Sequence, residues 1–393
     1  MKCSLCYNEG AIRFLNLGQQ PLANKYPTKE QLGAEDFFPL EVFFCTKCKN
    51  VQLGTVISRS RMFEDYYYLS SVNPGLVRHF EEFAKQLAGA KFVVDIGSND
   101  GILLKPFRAM GVKAIGVEPS INVSKIANDQ GLTTVVSFFD GKAVGEITKH
   151  WGKPDVVIAS SVFTHLENPH QCIEDVKKLM TDEGKFIIEV EYIANILKDI
   201  QFERFYLDRI FYYSLTSLIN LFASHDMIVT AVERIEPHGG SLRVVAQNKK
   251  INPKQSLEVG LIAEEESGIL NEADLKKFAL TVDKYTSAFR NKLEEYKQSG
   301  FKVAGYGAPA RVATICNYGK IDTSLIEFII DDSSLKQNRF SPGTHIPIFS
   351  NEYLKDHKPD VFVVFAYEYF NDIKKKTGSG YRYLIPIPPR EVV

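Results

Sequence analysis

Apolar positions along this chain first come in short runs and then settle into a regular alternation. Before about residue 75, runs at 40–44 and 51–56 are separated by turn formers, which predicts a few short strands. From Pro74 a helical spacing carries Phe80 and Phe83 toward Leu87. Beyond it, apolar runs at 92–96, 114–117, 133–136, 155–159 and 186–189 alternate with helical segments, the pattern of a parallel sheet with covered faces. Composition turns polar and acidic over 251–266 and leads into a long charged helical pattern at 274–298. A second strand, turn and helix unit opens at Val303, and runs at 326–330 and 361–365 complete a second sheet of nucleotide-fold type. The fold class read from this pattern is α/β, with a small module over 1–73, a central doubly wound sheet over 74–250 and a C-terminal Rossmann-like domain over 251–393.

A chain of 393 residues exceeds one hydrophobic core, so several domains are expected. The formal net charge of -1 gives no overall field to attract nucleic acid or an anionic membrane. No segment approaches the roughly 18 apolar residues of a membrane span, and the N-terminus lacks an apolar signal core. A cytoplasmic protein, monomeric or weakly dimeric, is expected. Four of the six cysteines form two Cys-x-x-Cys pairs, Cys3 with Cys6 and Cys45 with Cys48. In a reducing compartment two such knuckles predict a tetrathiolate zinc site, structural because no ligand position is left for water. Disulfide pairing is the competing reading, and Cys172 and Cys316 read as core residues.

The run at 92–96 ends in an acidic glycine turn, Asp95-Ile96-Gly97-Ser98-Asn99-Asp100-Gly101, and the next apolar run ends at Glu118. A dinucleotide's pyrophosphate would be repelled by the turn's two carboxylates, and the spacing is not the three-glycine fingerprint. S-adenosylmethionine carries an ammonium and a sulfonium, which Asp95 and Asp100 suit, while Glu118 can accept the ribose hydroxyls. Gly97, Asn99, Gly101, Pro119, Ser120, Phe138, Ala159 and Ser160 complete the expected donor site. The competing reading is an ordinary strand with a solvated turn. A second glycine turn, Gly305-Tyr306-Gly307-Ala308, with Asp331 and Asp332 after the next strand, leaves two readings open: a dinucleotide site, or a duplicated fold whose crevice holds nothing or lends its turn to a substrate phosphate.

Methyl transfer needs an acceptor with its electrons freed, and groups able to accept a proton cluster near strand ends. His165 follows the fourth central run, Tyr206, Asp208 and Arg209 follow the fifth, and His238 precedes paired glycines. Each has a plainer role: a structural histidine, or a solvated Asp208–Arg209 pair. Tyr66, Tyr67, Tyr68, Tyr212 and Tyr213 read first as packing residues.

Taken in order, these motifs resemble a known family, the three-domain S-adenosylmethionine-dependent C-methyltransferases of nucleotide-linked keto-deoxysugars. Its carriers span the chain: the cysteine pairs, Tyr68-Leu69-Ser70-Ser71, the acidic turn, Val117-Glu118-Pro119-Ser120, His165, Pro237-His238-Gly239-Gly240-Ser241-Leu242-Arg243, Gly305-Tyr306-Gly307-Ala308, Asp331-Asp332, Lys336-Gln337-Asn338-Arg339, Pro342-Gly343 with His345-Ile346-Pro347, and Phe365-Ala366-Tyr367. The resemblance implies a zinc-binding module, a class I methyltransferase domain and a C-terminal domain that binds no donor. It also implies a nucleotide-sugar substrate, dTDP-linked, held between the last two domains, with Ser241, Arg243, Tyr306, Lys336, Asn338 and Arg339 in contact with it and Tyr68 near the chemistry. The family's base is a histidine, which removes a proton alpha to the sugar's 4-keto group. Here the aligned positions read Tyr206, Asp208 and Arg209, so an arginine stands where the base is expected, and arginine stays protonated. Three accounts remain open: the base has moved to Asp208, His165 or Tyr206 with Arg209 stabilising an enolate; the acceptor is a hydroxyl, an amine or a more acidic carbon; or Arg209 forks onto a carboxylate or phosphate of an unusual substrate. A zinc-module methyltransferase acting on RNA or protein is the reading from another class, and the neutral charge counts against it.

Overall fold

The computed structural model describes residues 1–63, 68–250, 254–378 and 380–392. Tyr66 and Tyr67, expected to pack, lie outside the described residues, as does the start of the polar 251–266 segment. Among the described residues seventeen strands form three sheets. In chain order they are β1 (Ala11–Pro21), β2 (Phe37–Cys45), β3 (Val51–Leu53), β4 (Phe92–Ile96), β5 (Lys113–Val117), β6 (Thr134–Val135), β7 (Val156–Ser160), β8 (Lys185–Glu191), β9 (Phe211–Tyr212), β10 (Met227–Ile235), β11 (Ser241–Asn248), β12 (Val303–Tyr306), β13 (Ile329–Ile330), β14 (Ile348–Phe349), β15 (Val361–Val364), β16 (Arg382–Pro386) and β17 (Pro389–Val392).

The central sheet runs β10-β11-β8-β7-β4-β5-β6. Strands β8, β7, β4, β5 and β6 run parallel, and β11 is antiparallel to both β8 and β10. Such a sheet is covered on both faces, which is why β4 is buried at all five positions. One covering helix, Pro74–Gln86, begins at Asn73, whose side chain accepts from the amides of Gly75 and Leu76, with Pro74 at the first helical position. Its Leu76, Phe80 and Phe83, spaced four and three apart, face the sheet. The third sheet runs β14-β13-β12-β15-β16-β17 and is parallel except for β17, an order that reverses at β12 as the central sheet's does at β4.

The first sheet is antiparallel, β1-β2-β3-β9. Its fourth strand comes from far along the chain: Tyr212 pairs with Val51 and Phe211 with Gln52. The segment between β8 and β10 therefore sews the N-terminal module to the central sheet. A helix at Leu257–Ser267 buries Val259 and Ile262 in the central hydrophobic cluster. Among the described residues no helix is long and apolar enough to cross a membrane.

Candidate active site and zinc centre

The carboxyl ends of the central strands open into a cavity of ≈ 1060 Å³ that loops and helices of the N-terminal module and the C-terminal unit, Asn24, Arg311 and Lys336 among them, help to line. At its inner end stand Asp95, last but one in β4, and Glu118, just after β5. Asp95 is buried and its carboxyl makes no protein hydrogen bond among the described residues; burial, then Glu118 and Glu189, push that carboxyl well above the usual range. A buried carboxylate in that condition calls for a cation. Glu118 is held by the amides of Asn99 (3.0 Å) and Ser120 (2.8 Å), which aim its remaining lone pairs at the cavity. The donor set thus fits the charge and hydroxyls of S-adenosylmethionine.

Gly97, Ser98 and Asn99 of the acidic turn also line the cavity, and the turn serves the fold as well. Gly97 is left-handed (φ 72°), and a Cβ there would lie 2.8 Å from Val162. At Gly101 a Cβ would lie 2.4 Å from Leu132, so that glycine answers to packing rather than to a ligand. Asp100 does not line the cavity, contrary to the donor role expected of it: its carboxylate accepts from the Ser71 hydroxyl and amide. Asn99, beside it, accepts from the Ser70 amide at 2.9 Å and donates to the Tyr68 carbonyl at 3.1 Å. Together they tie the 68–72 segment over the donor end. Ala159 is fully buried within β7 and off the wall, whereas Pro119, Ser120, Phe138 and Ser160 are on it.

In the middle of the cavity lie Tyr68, His165, Tyr206, Arg209 and His238. Arg209 makes a buried ion pair with Glu191, the last residue of β8, and its guanidinium lies 4.7 Å from the Tyr206 ring centroid. Burial pushes the Glu191 carboxyl up, but Arg209, His238, Arg204 and His165 outweigh it and hold it below the usual range. Burial, and for both the Arg209 charge, lower His165 and His238 to about 4, so both imidazoles are neutral at pH 7. The Asp208 carbonyl accepts from His165 Nδ1, which puts the basic lone pair on Nε2. Asp208 is off the wall and buried, and Asn24 donates to its carboxylate at 2.6 Å. That placement removes it from the groups that reach a substrate. Tyr206 and Tyr68 are both pushed up by burial, so neither phenol is ionised at neutral pH.

At the outer end, Arg204 and Arg311 share Glu368 at 2.6 and 2.7 Å. Lys336 also lines this end and donates to the Ala308 carbonyl at 2.9 Å. The other expected substrate contacts divide. Arg243 is on the wall, but its guanidinium is taken up by Glu189 (2.8 Å), Glu233 (3.0 Å) and Gln86 (3.0 Å). Ser241, Tyr306, Asn338 and Arg339 are off the wall. Ser241 donates to the Pro237 carbonyl, Tyr306 to Asn351 and Arg339 to the Tyr26 carbonyl, while Asn338 is an exposed left-handed turn residue. The second glycine turn is closed off. Asp331 accepts from the amides of Ala308 and Ser333, and Tyr26 of the N-terminal module donates to the Ala308 carbonyl at 2.7 Å.

Cys3, Cys6, Cys45 and Cys48 bring their sulfurs within 4.8 Å of one another. A tetrahedral ion with bonds of about 2.3 Å wants sulfurs roughly 3.8 Å apart, and the Cys3–Cys48 and Cys6–Cys45 separations are 3.6 and 3.5 Å. Both knuckles have the same turn: Tyr7 and Lys49, left-handed, donate to the carbonyls of Cys3 and Cys45. Cys172 and Cys316 are buried core residues, as expected.

Sequence reasoning missed several residues that the fold brings here. Glu189 and Glu191 alternate at the end of an apolar run, a signal that would have marked one strand face as chemical. Asn24, Arg204, Arg311 and Glu368 come from loops and element ends with no local pattern.

A donor cavity at the carboxyl ends of a seven-stranded sheet in this order defines a class I methyltransferase, here with a zinc-binding module and a second Rossmann-like unit. Family models agree along the chain: a zinc binding domain at residues 3–63, a methyltransferase domain at 68–232 and a C-methyltransferase C-terminal domain at 236–388. The chain is 31% identical over 405 residues to C-methyltransferase NovU of Streptomyces niveus, covering 100% of this chain and 96% of that one. It belongs to that C-methyltransferase family, uses S-adenosylmethionine and binds zinc. It is also 23% identical to a ubiquinone biosynthesis O-methyltransferase of Glaesserella parasuis over 134 residues, 32% of this chain and 55% of that one. Among solved structures, the CcbJ methyltransferase of Streptomyces caelestis matches with a TM-score of 0.36 and 14% identity, over 44% of this chain and 90% of that one.

Proposed function

We propose that the protein methylates the carbon next to the ketone of a nucleotide-linked deoxysugar, dTDP-linked, with His165 as proton acceptor. The observation that carries this reading is the set of groups lining one cavity: the carboxyls of Asp95 and Glu118 at the ends of the central strands, neutral imidazoles beside Arg209, and Arg204, Arg311 and Lys336 toward the C-terminal unit. S-adenosylmethionine, when bound, supplies an electrophilic methyl group. Asp95 takes its ammonium and Glu118 its ribose hydroxyls. Arg204, Arg311 and Lys336 take the diphosphate; Arg311 Nη1 is buried without a hydrogen-bond partner among the described residues.

His165 Nε2 removes the proton alpha to the carbonyl, and the C–H electrons move onto the ketone oxygen. Arg209 faces the developing enolate as a fixed cation, and Glu191 lowers the cost of the imidazolium that forms. His165 is supported over the other candidates because Asp208 is tied to Asn24 off the wall and the phenol of Tyr206 is held protonated. Incubation with deuteromethyl donor and dTDP-4-keto-6-deoxyhexoses, read by mass spectrometry and NMR, tests the reading. Label on a ring carbon, with loss of that carbon's proton, is expected. Label on oxygen or nitrogen moves the reading to that acceptor, and no label in any sugar overturns it.

A further inference from the structure

We propose that Asn24, in the zinc-stapled N-terminal module, is a positioning residue for methyl transfer: it fixes the turn that carries Asp208, whose main-chain carbonyl sets the tautomer and ring orientation of His165. The inference rests on the reading of His165 as the proton acceptor.

The contact is long-range and buried. Asn24 Nδ2 donates to Asp208 Oδ2 at 2.6 Å across 184 residues of chain, and Asp208 is only 3% exposed. Its other carboxylate oxygen has no hydrogen-bond partner among the described residues. Burial pushes the carboxyl up, with Asn24 foremost among the groups that oppose it, ahead of Arg209 and Lys25. Removing the Asn24 amide would leave the buried carboxylate with its own main-chain amide as its remaining hydrogen-bond donor, a condition that drives a turn to rearrange.

The main chain of that turn is pinned on either side of Asp208, with Leu53 of β3 also donating to the Ile210 carbonyl at 2.9 Å. The Ile210 amide donates to the Thr164 carbonyl at 2.9 Å and the Arg209 amide to the Tyr206 carbonyl at 3.1 Å, while the Asp208 carbonyl is committed to His165 Nδ1. Movement of Asp208 therefore reaches the imidazole directly. Asn24 is itself rigidly placed. Its neighbour Ala23 packs between Tyr206 and Ala313, and Tyr26, two residues on, bonds Ala308 and Arg339. The tip of the N-terminal sheet is thus wedged between the other two sheets, with one amide reaching the turn behind the imidazole.

Asn24→Ala and the isosteric Asn24→Asp test this, the second retaining the packing volume should the first fold poorly. In ¹⁵N-histidine NMR, with the His165 signals assigned by their loss in His165→Gln, the native protein is expected to show His165 protonated at Nδ1 and unprotonated at Nε2. Both Asn24 variants are expected to lose that single-tautomer signature. Zinc content and S-adenosylhomocysteine affinity should stay unchanged, and kcat should fall by at least roughly tenfold with KM within twofold. His165 nitrogen shifts that match the native protein in both variants would overturn the proposal whatever their activity. Altered shifts in a protein that methylates no keto-sugar would leave Asn24 as positioning residue and sink the assignment of His165 as base.

Discussion

Arg209 shows how far a single position could be read from sequence. Its identity excluded it as a base at once, but its partner was invisible, because Glu191 sits at the end of a strand 18 residues earlier and only the fold joins them. Removing one member of a buried pair strands the other, so Arg209→Ala is expected to cost about 3–5 kcal/mol in urea unfolding. Adding Glu191→Gln should return most of that stability, and turnover should stay lost if the cation serves the enolate. Turnover near the native level in the double variant would reduce the pair to scaffolding. The imidazoles add a pH prediction. His165 and His238 have native values near 4 against 6.5 unfolded, so between those values the unfolded chain binds more protons. Stability should therefore fall as pH drops from 6.5 toward 4, and His165→Gln should flatten that fall in denaturant midpoints taken at pH 7, 5.5 and 4.5. A slope unchanged by the substitution would show that His165 is not one of the depressed groups.

Elements whose side chains follow one period were legible, and those that borrow partners were not. Phe92–Ile96 falls where the apolar run places it, and the helix from Pro74 begins at its proline because Asn73 caps it. The two-residue β9 carries no pattern of its own, and its place in the first sheet depends on β3. The acidic turn was legible as a donor signal, but of its two acids only Asp95 lines the cavity: Asp100 instead holds the 68–72 segment, together with Asn99 on the wall. That gives the segment a measurable duty. Asn99 is left-handed (φ 49°), so Asn99→Gly keeps the backbone while removing both side-chain hydrogen bonds. S-adenosylhomocysteine affinity by calorimetry should weaken roughly tenfold, the value of one to two such bonds. An affinity within twofold of native would mean that the segment contributes nothing to holding the donor.

At the scale of the molecule, the zinc module is bound into the rest of the chain at several places, among them the β3–β9 pairing and the tip at Asn24 and Tyr26. Small sheets of this kind depend on their metal for folding, so zinc removal should unfold β1 to β3. The consequence reaches beyond the module. Without β3, the Phe211–Tyr212 strand loses its hydrogen-bonded neighbour, and the turn carrying Tyr206 to Arg209 loses its anchor two residues away. The donor end hangs on β4, β5 and β7, whose pairing does not involve the module. Stripping zinc with a mercurial and chelator should therefore abolish turnover while S-adenosylhomocysteine still binds within about threefold of its native affinity, as the donor's binding energy comes from contacts at the intact inner end. Hydrogen exchange should report the same division, with protection lost over β1 to β3 and 206–213 and retained in β4 and β5. Loss of donor binding in step with zinc would make the three sheets one cooperative unit, and retained turnover would remove the module from the active site altogether.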